Sequence, residues 1–146
     1  MDLKINMKPT SQIISERGLC EGGITQKYID QECIRRMRPY TPFLSGALIK
    51  SATIGTVIGS GTIKQNTPYA RYQYYGEVYG PNIPIIKDGV LEGFYSPPKK
   101  SPTGRELQYN KSKNPKAGKK WFERMKADHK TSILAGAAKI SGGTYK

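Results

Sequence analysis

The residue types that usually carry catalysis are few and scattered in this 146-residue sequence. His129 is the only histidine, and Cys20 and Cys33 are the only cysteines. Their spacing does not fit a zinc site, and no phosphate-binding glycine loop or nucleophile motif is present. Because no set of residues can share acid, base and nucleophile roles, we expect no enzymatic activity. We likewise expect no metal, no cofactor and no small-molecule substrate.

The two residue types that could be reactive have simpler interpretations. Cys33 falls on the apolar face of a predicted helix, where a small core residue is the expected role. His129 lies at the edge of another apolar face with no partner spaced for proton transfer, which favours packing. The first ten residues lack the apolar run of a signal peptide, so we expect free thiols in a reducing compartment. No window approaches 18 apolar residues, and we expect no membrane contact.

Positive charge is the first binding signal. The chain has 24 Lys and Arg against 11 Asp and Glu, a formal net charge of +13, which favours polyanionic partners. Residues 99–130 hold eleven cations against three carboxylates and can neutralise phosphates without reading base sequence. A solvated face with a flexible loop explains the same run equally well. The candidate DNA-facing residues are Lys99, Lys100, Arg105, Lys111, Lys113, Lys116, Lys119 and Lys120.

Aromatic residues are the second binding signal. Five of the ten tyrosines fall within residues 69–79. Nucleic-acid bases can stack on such rings, but tyrosine and arginine also anchor protein interfaces. The spacing does not present consecutive rings on one side, so a core with an adjoining interface is favoured over a stacking platform. The candidate interface residues are Tyr69, Arg71, Tyr72, Tyr74, Tyr75 and Tyr79.

Two helices are predicted to position the first half of the chain. One begins at Thr25, carries apolar residues at four-residue spacing and stops at Pro39. The second begins at Thr41-Pro42, with threonine as its N-cap and proline in its first turn. Gly46 would lie inside this second helix, beside a buried stripe formed by Leu44, Leu48 and Ile49.

Turns and strands are predicted between these helices and the C-terminal part. Residues 53–58 are expected to pair with 61–66 around Gly59-Ser60-Gly61, and residues 3–7 weakly suggest a strand. Asp88-Gly89 predicts a hairpin that pairs Ile83–Ile86 with Val90–Tyr95, followed by a mobile loop over residues 96–104.

A final helix is predicted from Asn114-Pro115 to Gly142-Gly143, with Trp121 on its apolar face. Together these elements predict an α+β fold in a single domain, residues 1–146. We expect a small antiparallel sheet flanked by two to three helices. Residues 80–113 would form a long loop or hairpin arm.

Three motifs in order resemble the minor capsid proteins of tailed bacteriophages. They are Pro42-x-x-Ser45-Gly46-x-Leu48, then Pro68-Tyr69-Ala70-x-x-x-Tyr74-x-Gly76, then Asn114-Pro115 leading into Trp121-Phe122-Glu123-Arg124. The similarity covers roughly residues 24–138 and is weakest over 80–113. The proteins that the chain resembles belong with the neck and tail components of the head–tail connector.

The resemblance implies a virion structural protein, made in the host cytoplasm, that assembles with copies of itself into a ring in the phage neck. The ring would join the portal-side connector to the tail, with the genome passing through its lumen. Its implied partners are a neighbouring connector or head-completion protein, tail terminator or tail-tube proteins, and genomic DNA through non-specific contact. A free, sequence-independent nucleic-acid-binding protein is the alternative that the basic residues leave open.

Overall fold

The computed structural model describes residues 4–146 as five α-helices and four short strands. The helices are α1 (Thr10–Glu16), α2 (Ile24–Met37), α3 (Ala47–Gly55), α4 (Ala70–Tyr75) and α5 (Trp121–Ile140), with a 3-10 turn at Arg38–Tyr40 after α2. The strands are β1 (Glu77–Gly80), β2 (Ile83–Lys87), β3 (Val90–Tyr95) and β4 (Ser101–Glu106). This composition confirms the predicted α+β class.

The core lies where α2 packs along α5. Trp121, Met125 and Ile133 are buried on α5, and Met37 closes the end of α2. Trp121, Met125 and Ile133 are separated by four and eight residues, which places them on one face of α5, as the sequence predicts. Cys33 packs at the edge of this cluster as a partly buried residue.

The second predicted helix begins later than expected. Residues 41–46 are not helical, and α3 starts at Ala47 after Gly46, whose φ of +83° suits glycine. A Cβ at this glycine would lie 3.2 Å from the Phe43 ring, so the position also lacks room for a larger residue. The predicted stripe is therefore wrong in part: Leu48 is buried, whereas Leu44 is 92% exposed.

The hairpin predicted over residues 53–66 is absent from the described chain. Residues 53–55 complete α3, and the segment after it is irregular. This segment is held by a side chain instead of a strand ladder, because Asp30 Oδ2 accepts hydrogen bonds from the amides of Gly59 (2.8 Å) and Gly61 (3.1 Å). Asp30 is buried in α2, so the charged bonds fix this turn against the helix.

Two separate two-stranded antiparallel sheets make up the β structure, in place of one small sheet. The predicted hairpin is confirmed: β2 pairs with β3, and Asp88-Gly89 turns between them with positive φ at both residues. The predicted loop over 96–104 is wrong at its end, because β4 begins at Ser101 and pairs with β1. The β1–β4 ladder closes the base of the β2–β3 hairpin.

The final helix is shorter than predicted at its start. Asn114 does not cap it; its side-chain amide instead donates to the carbonyls of Arg38 (3.0 Å) and Thr41 (2.8 Å). α5 begins at Trp121, after Lys120 in a left-handed conformation with φ of +52°. The weak strand predicted at 3–7 is not formed by residues 4–7, and residue 3 lies outside the described part. α1 was not predicted.

Candidate interface surfaces

The tyrosine-rich stretch forms α4, and its residues divide between core and surface. Ala70 is buried, and the helix ends at Gly76 with φ of +72°. A Cβ at Gly76 would lie 2.9 Å from both Lys119 Cβ and the Tyr109 hydroxyl, so a side chain there would push this segment away. The glycine thus lets residues 107–120 return across the end of α4.

Tyr74 is the candidate interface residue that faces inward. Its ring packs edge-on against Trp121 with centroids 4.7 Å apart, and its hydroxyl donates to Glu123. Burial, followed by the bond to Glu123, raises the pKa of Tyr74 well above its usual range. This tyrosine is part of the packing that joins α4 to α5.

The other residues of the stretch leave aromatic surface uncovered. Tyr69, Tyr72 and Tyr75 are each more than two-fifths exposed. Tyr72 packs against Tyr79 of β1 with centroids 4.7 Å apart, and Arg71 is exposed beside them. These side chains can contact a partner without unfolding the subunit, as the interface prediction requires.

The eight candidate DNA-facing cations are spread over three regions. Lys99 and Lys100 lie between β3 and β4, Arg105 lies in β4, and Lys111 and Lys113 lie on the exposed segment after β4. The three nearest α5 have partners within the subunit: Lys119 pairs with Glu106, Lys116 Nζ lies 3.3 Å from the Tyr40 hydroxyl, and Lys120 Nζ lies 4.1 Å from the Tyr75 ring centre. Lys100 Nζ also donates to Asn82 Oδ1 at 2.8 Å. The exposed Lys99, Arg105, Lys111 and Lys113 are therefore the cations of the set that are most open to phosphate.

The arm hairpin, which we define as β2 and β3, carries seven of the 21 exposed large hydrophobic side chains of the described residues. All residues of β2 are exposed, and in β3 only Gly93 is partly covered. Apolar residues occupy consecutive positions, as in Ile85-Ile86 and Val90-Leu91, so both faces of the hairpin are apolar. Sequence reasoning found the hairpin but not this property, although strands without polar alternation are typical of burial on both faces.

A groove beside α4 has a mainly apolar lining. This α2–α4 groove has a volume of about 640 Å³ and runs between α2, residues 61–65, α4 and the start of α5. Its side chains include Ile29, Cys33, Ile63, Tyr75 and Phe122. No local sequence pattern predicts this groove, because four separate segments form its walls.

The polar contacts of His129 and its neighbour Asp128 join α5 to residues 36–40. Arg36 Nη1 lies 3.1 Å from His129 Nδ1, and the Tyr40 hydroxyl donates to Asp128 at 2.5 Å, which ties α2 to α5. Burial raises the pKa of the Cys33 thiol, which disfavours the reactive thiolate. Across residues 4–146, no group of three or more His, Cys, Asp or Glu side chains is arranged to hold a metal ion.

Comparison with known proteins identifies the family. Residues 1–139 match the family described as minor capsid protein, and this match covers nearly the whole chain. The chain therefore belongs to the minor capsid protein family, which supports a structural role in the phage virion. The resemblance seen in the three sequence motifs is confirmed. No curated protein and no solved structure matches the chain significantly.

The helices of residues 4–146 include none that combines the length and apolar character required to cross a membrane.

Proposed function

We propose that this minor capsid protein is a subunit of an oligomeric ring in the neck of a tailed phage, where it joins the portal-side connector to the tail. One observation carries the proposal: a virion protein projects an arm that is apolar on both faces. A monomer gains nothing from exposing such surface, whereas an assembly can bury it. The subunit acts by packing and has no catalytic role.

The proposed partners follow from this position. Copies of the chain contact one another around the ring, a connector or head-completion protein lies on the head side, and tail terminator or tail-tube proteins lie on the tail side. The exposed tyrosines of 69–79 suit protein contacts. The cations Lys99, Arg105, Lys111 and Lys113 suit non-specific contact with DNA in the lumen.

The experiment that tests the position uses a phage in which this gene carries a nonsense mutation. We expect filled or fillable heads and complete tails that do not join. On wild-type particles, gold-labelled antibodies against the chain should mark the head–tail junction. Joined infectious particles from the mutant, or label over the icosahedral shell, would show that the neck assignment is wrong.

The net charge of +13 supports a second candidate, a free and sequence-independent nucleic-acid-binding protein. Such a protein binds DNA tightly as a monomer or dimer, with an affinity that falls steeply as salt rises. A neck subunit should instead bind DNA weakly outside the assembly and co-purify with virions. Fluorescence anisotropy with labelled duplex DNA at several salt concentrations distinguishes the two.

A further inference from the structure

We propose that the arm hairpin of one subunit docks into the α2–α4 groove of a neighbouring copy. The contact is head-to-tail, because the two surfaces that meet are different parts of the chain. This inference rests on the proposed ring and names the surfaces that join its subunits.

The hairpin itself requires a covering surface. Two-stranded sheets are marginally stable in water on their own, and β2 and β3 pack extensively only on each other. The hairpin nevertheless carries seven large apolar side chains, each 45–65% exposed. They are Ile83, Ile85, Ile86, Val90, Leu91, Phe94 and Tyr95.

The exposed area is the size that a subunit contact needs. Seven such side chains leave on the order of 600 Å² of apolar surface uncovered, at the upper end of what monomers tolerate. A stable interface buries about 800 Å² on each partner. The hairpin and its immediate flanks therefore supply most of one side of an interface.

One face of the hairpin is better suited to insertion. Pro84 is paired with Phe94 and Ile86 with Leu91, so these four side chains share a face. Phe94 and Ile86 on this face are each more than three-fifths exposed. On the opposite face, Ile83, Ile85 and Tyr95 are 45–53% exposed, and Val90, at the end next to the turn, is 65% exposed.

The groove supplies the matching surface. Its lining is mainly apolar and includes the partly buried Phe122 and Ile63, beside the half-exposed Tyr75. Within the described residues of one chain, the hairpin does not cover this groove, so both surfaces remain open for another copy. A donor and a different acceptor on every subunit generate a repeating contact, which closes into a ring when the rotation permits.

Complementation between two variants tests this arrangement. Ile86→Thr with Phe94→Thr removes apolar area from the donor face and keeps residues that favour strands. Thr62→Arg blocks the acceptor, because Thr62 is an exposed residue on the groove wall and its hydrogen bonds to Ser60 are made by its backbone. Glu92→Thr in the arm and Thr144→Arg in the exposed C-terminal tail are the matched controls.

Native mass spectrometry and light scattering after gel filtration give the readout. We expect oligomers from the wild type and both controls, and monomers from the donor variant and from the acceptor variant. An equimolar mixture of the two variants should form a heterodimer that grows no further, because each pair retains one intact arm and one intact groove. Circular dichroism should show wild-type folding throughout.

Three results would overturn the inference. Oligomers from either variant alone, or a mixture that stays monomeric while the controls assemble, would refute the arm-in-groove contact and leave the neck assignment intact. A wild-type chain that stays monomeric at the highest attainable concentration would refute self-association through these surfaces. The nonsense-mutant phage then shows separately whether the neck assignment holds.

Discussion

Replacing Trp121 by alanine tests whether the α4–α5 junction holds the subunit together. The indole is 1% exposed, its Nε1 donates to Gln65 Oε1 at 2.9 Å, and Tyr74 packs edge-on against it. Gln65 Nε2 in turn donates to the carbonyl of Leu48 at 3.0 Å, so the indole is linked to α3 as well. Three helices therefore depend on one side chain.

The expected loss can be worked from these contacts. Truncating a buried tryptophan costs about 3–5 kcal/mol through lost burial and the remaining cavity. The aromatic pair and the hydrogen bond are each worth about 1 kcal/mol, and they place Trp121→Ala at the upper end, about 4–5 kcal/mol. Trp121→Phe keeps most of the apolar area and loses the N–H donor, so we expect about 2 kcal/mol. The melting temperature should fall by roughly 10–15 °C for alanine.

Urea unfolding followed by far-UV circular dichroism measures both variants. Fluorescence is unsuitable because Trp121 is the only tryptophan of the chain. Phe122→Ala is a useful comparison, since this neighbour is only partly buried and should cost less. A loss below about 1 kcal/mol for Trp121→Ala would refute the reasoning that this ring is the centre of the core.

Three further predictions concern charged side chains. Asp30→Asn removes the charged acceptor of two backbone amides and should destabilise the fold by about 2 kcal/mol, measured by urea unfolding; an unchanged midpoint would mean that the turn holds itself. The hydrogen bond from Arg35, opposed by burial, lowers the pKa of Glu32 to about 2. The stabilisation that ionised Glu32 gives to the fold is therefore present above about pH 4.5 and lost as pH falls toward 2. Glu32→Gln should reduce the acid-induced loss of stability over that range by about 1 kcal/mol, and parallel curves of stability against pH for the two proteins would contradict this. Replacing Lys99 and Lys100 together by glutamine should leave stability within about 0.5 kcal/mol and weaken DNA binding or assembly; loss of folding would show that this segment belongs to the core.

The parts of the fold predicted from sequence depend on local rules. α2 follows from apolar spacing, and the arm hairpin follows from Asp88-Gly89, whose positive φ values define the turn between the strands. The buried face of α5 can also be predicted from sequence, because Trp121, Met125 and Ile133 recur at helical spacing. In each case the determining residues are neighbours in the chain.

The errors occur where distant residues determine the local conformation. β4 reads as a proline-rich loop, and its pairing with β1 depends on the chain returning after the hairpin. The Asn114-Pro115 pair has the chemistry of a helix start, but the Asn114 side chain bonds to carbonyls in residues 38–41 instead. The β-branched residues of 53–58 and 61–66 predict a hairpin, whereas residues 53–55 complete α3 and a buried carboxylate of α2 holds the turn that follows.

The candidate surfaces also divide into features that neighbouring residues determine and features that distant residues determine. The tyrosines and cations were found by composition, but the separation of inward Tyr74 from outward Tyr75 requires the position of α5. The α2–α4 groove had no sequence signal, because its walls come from four segments. The apolar character of the arm was visible in the consecutive Ile85-Ile86 and Val90-Leu91, which fit a strand covered on both faces.

The β1–β4 ladder at the base of the arm also determines how the subunit carries mechanical load. Tension on the hairpin tip pulls β2 and β3 in the same direction, so the hydrogen bonds between these two strands are neither unzipped nor sheared. The load then divides between two covalent paths, one into α4 through Gly76 and one into residues 107–120. Those paths are tied together by Leu107 N–H to Gly76 O at 2.8 Å and by Lys120 N–H to Tyr74 O at 2.9 Å. A pull on the arm is therefore borne by the helical core, and no single loop carries it alone.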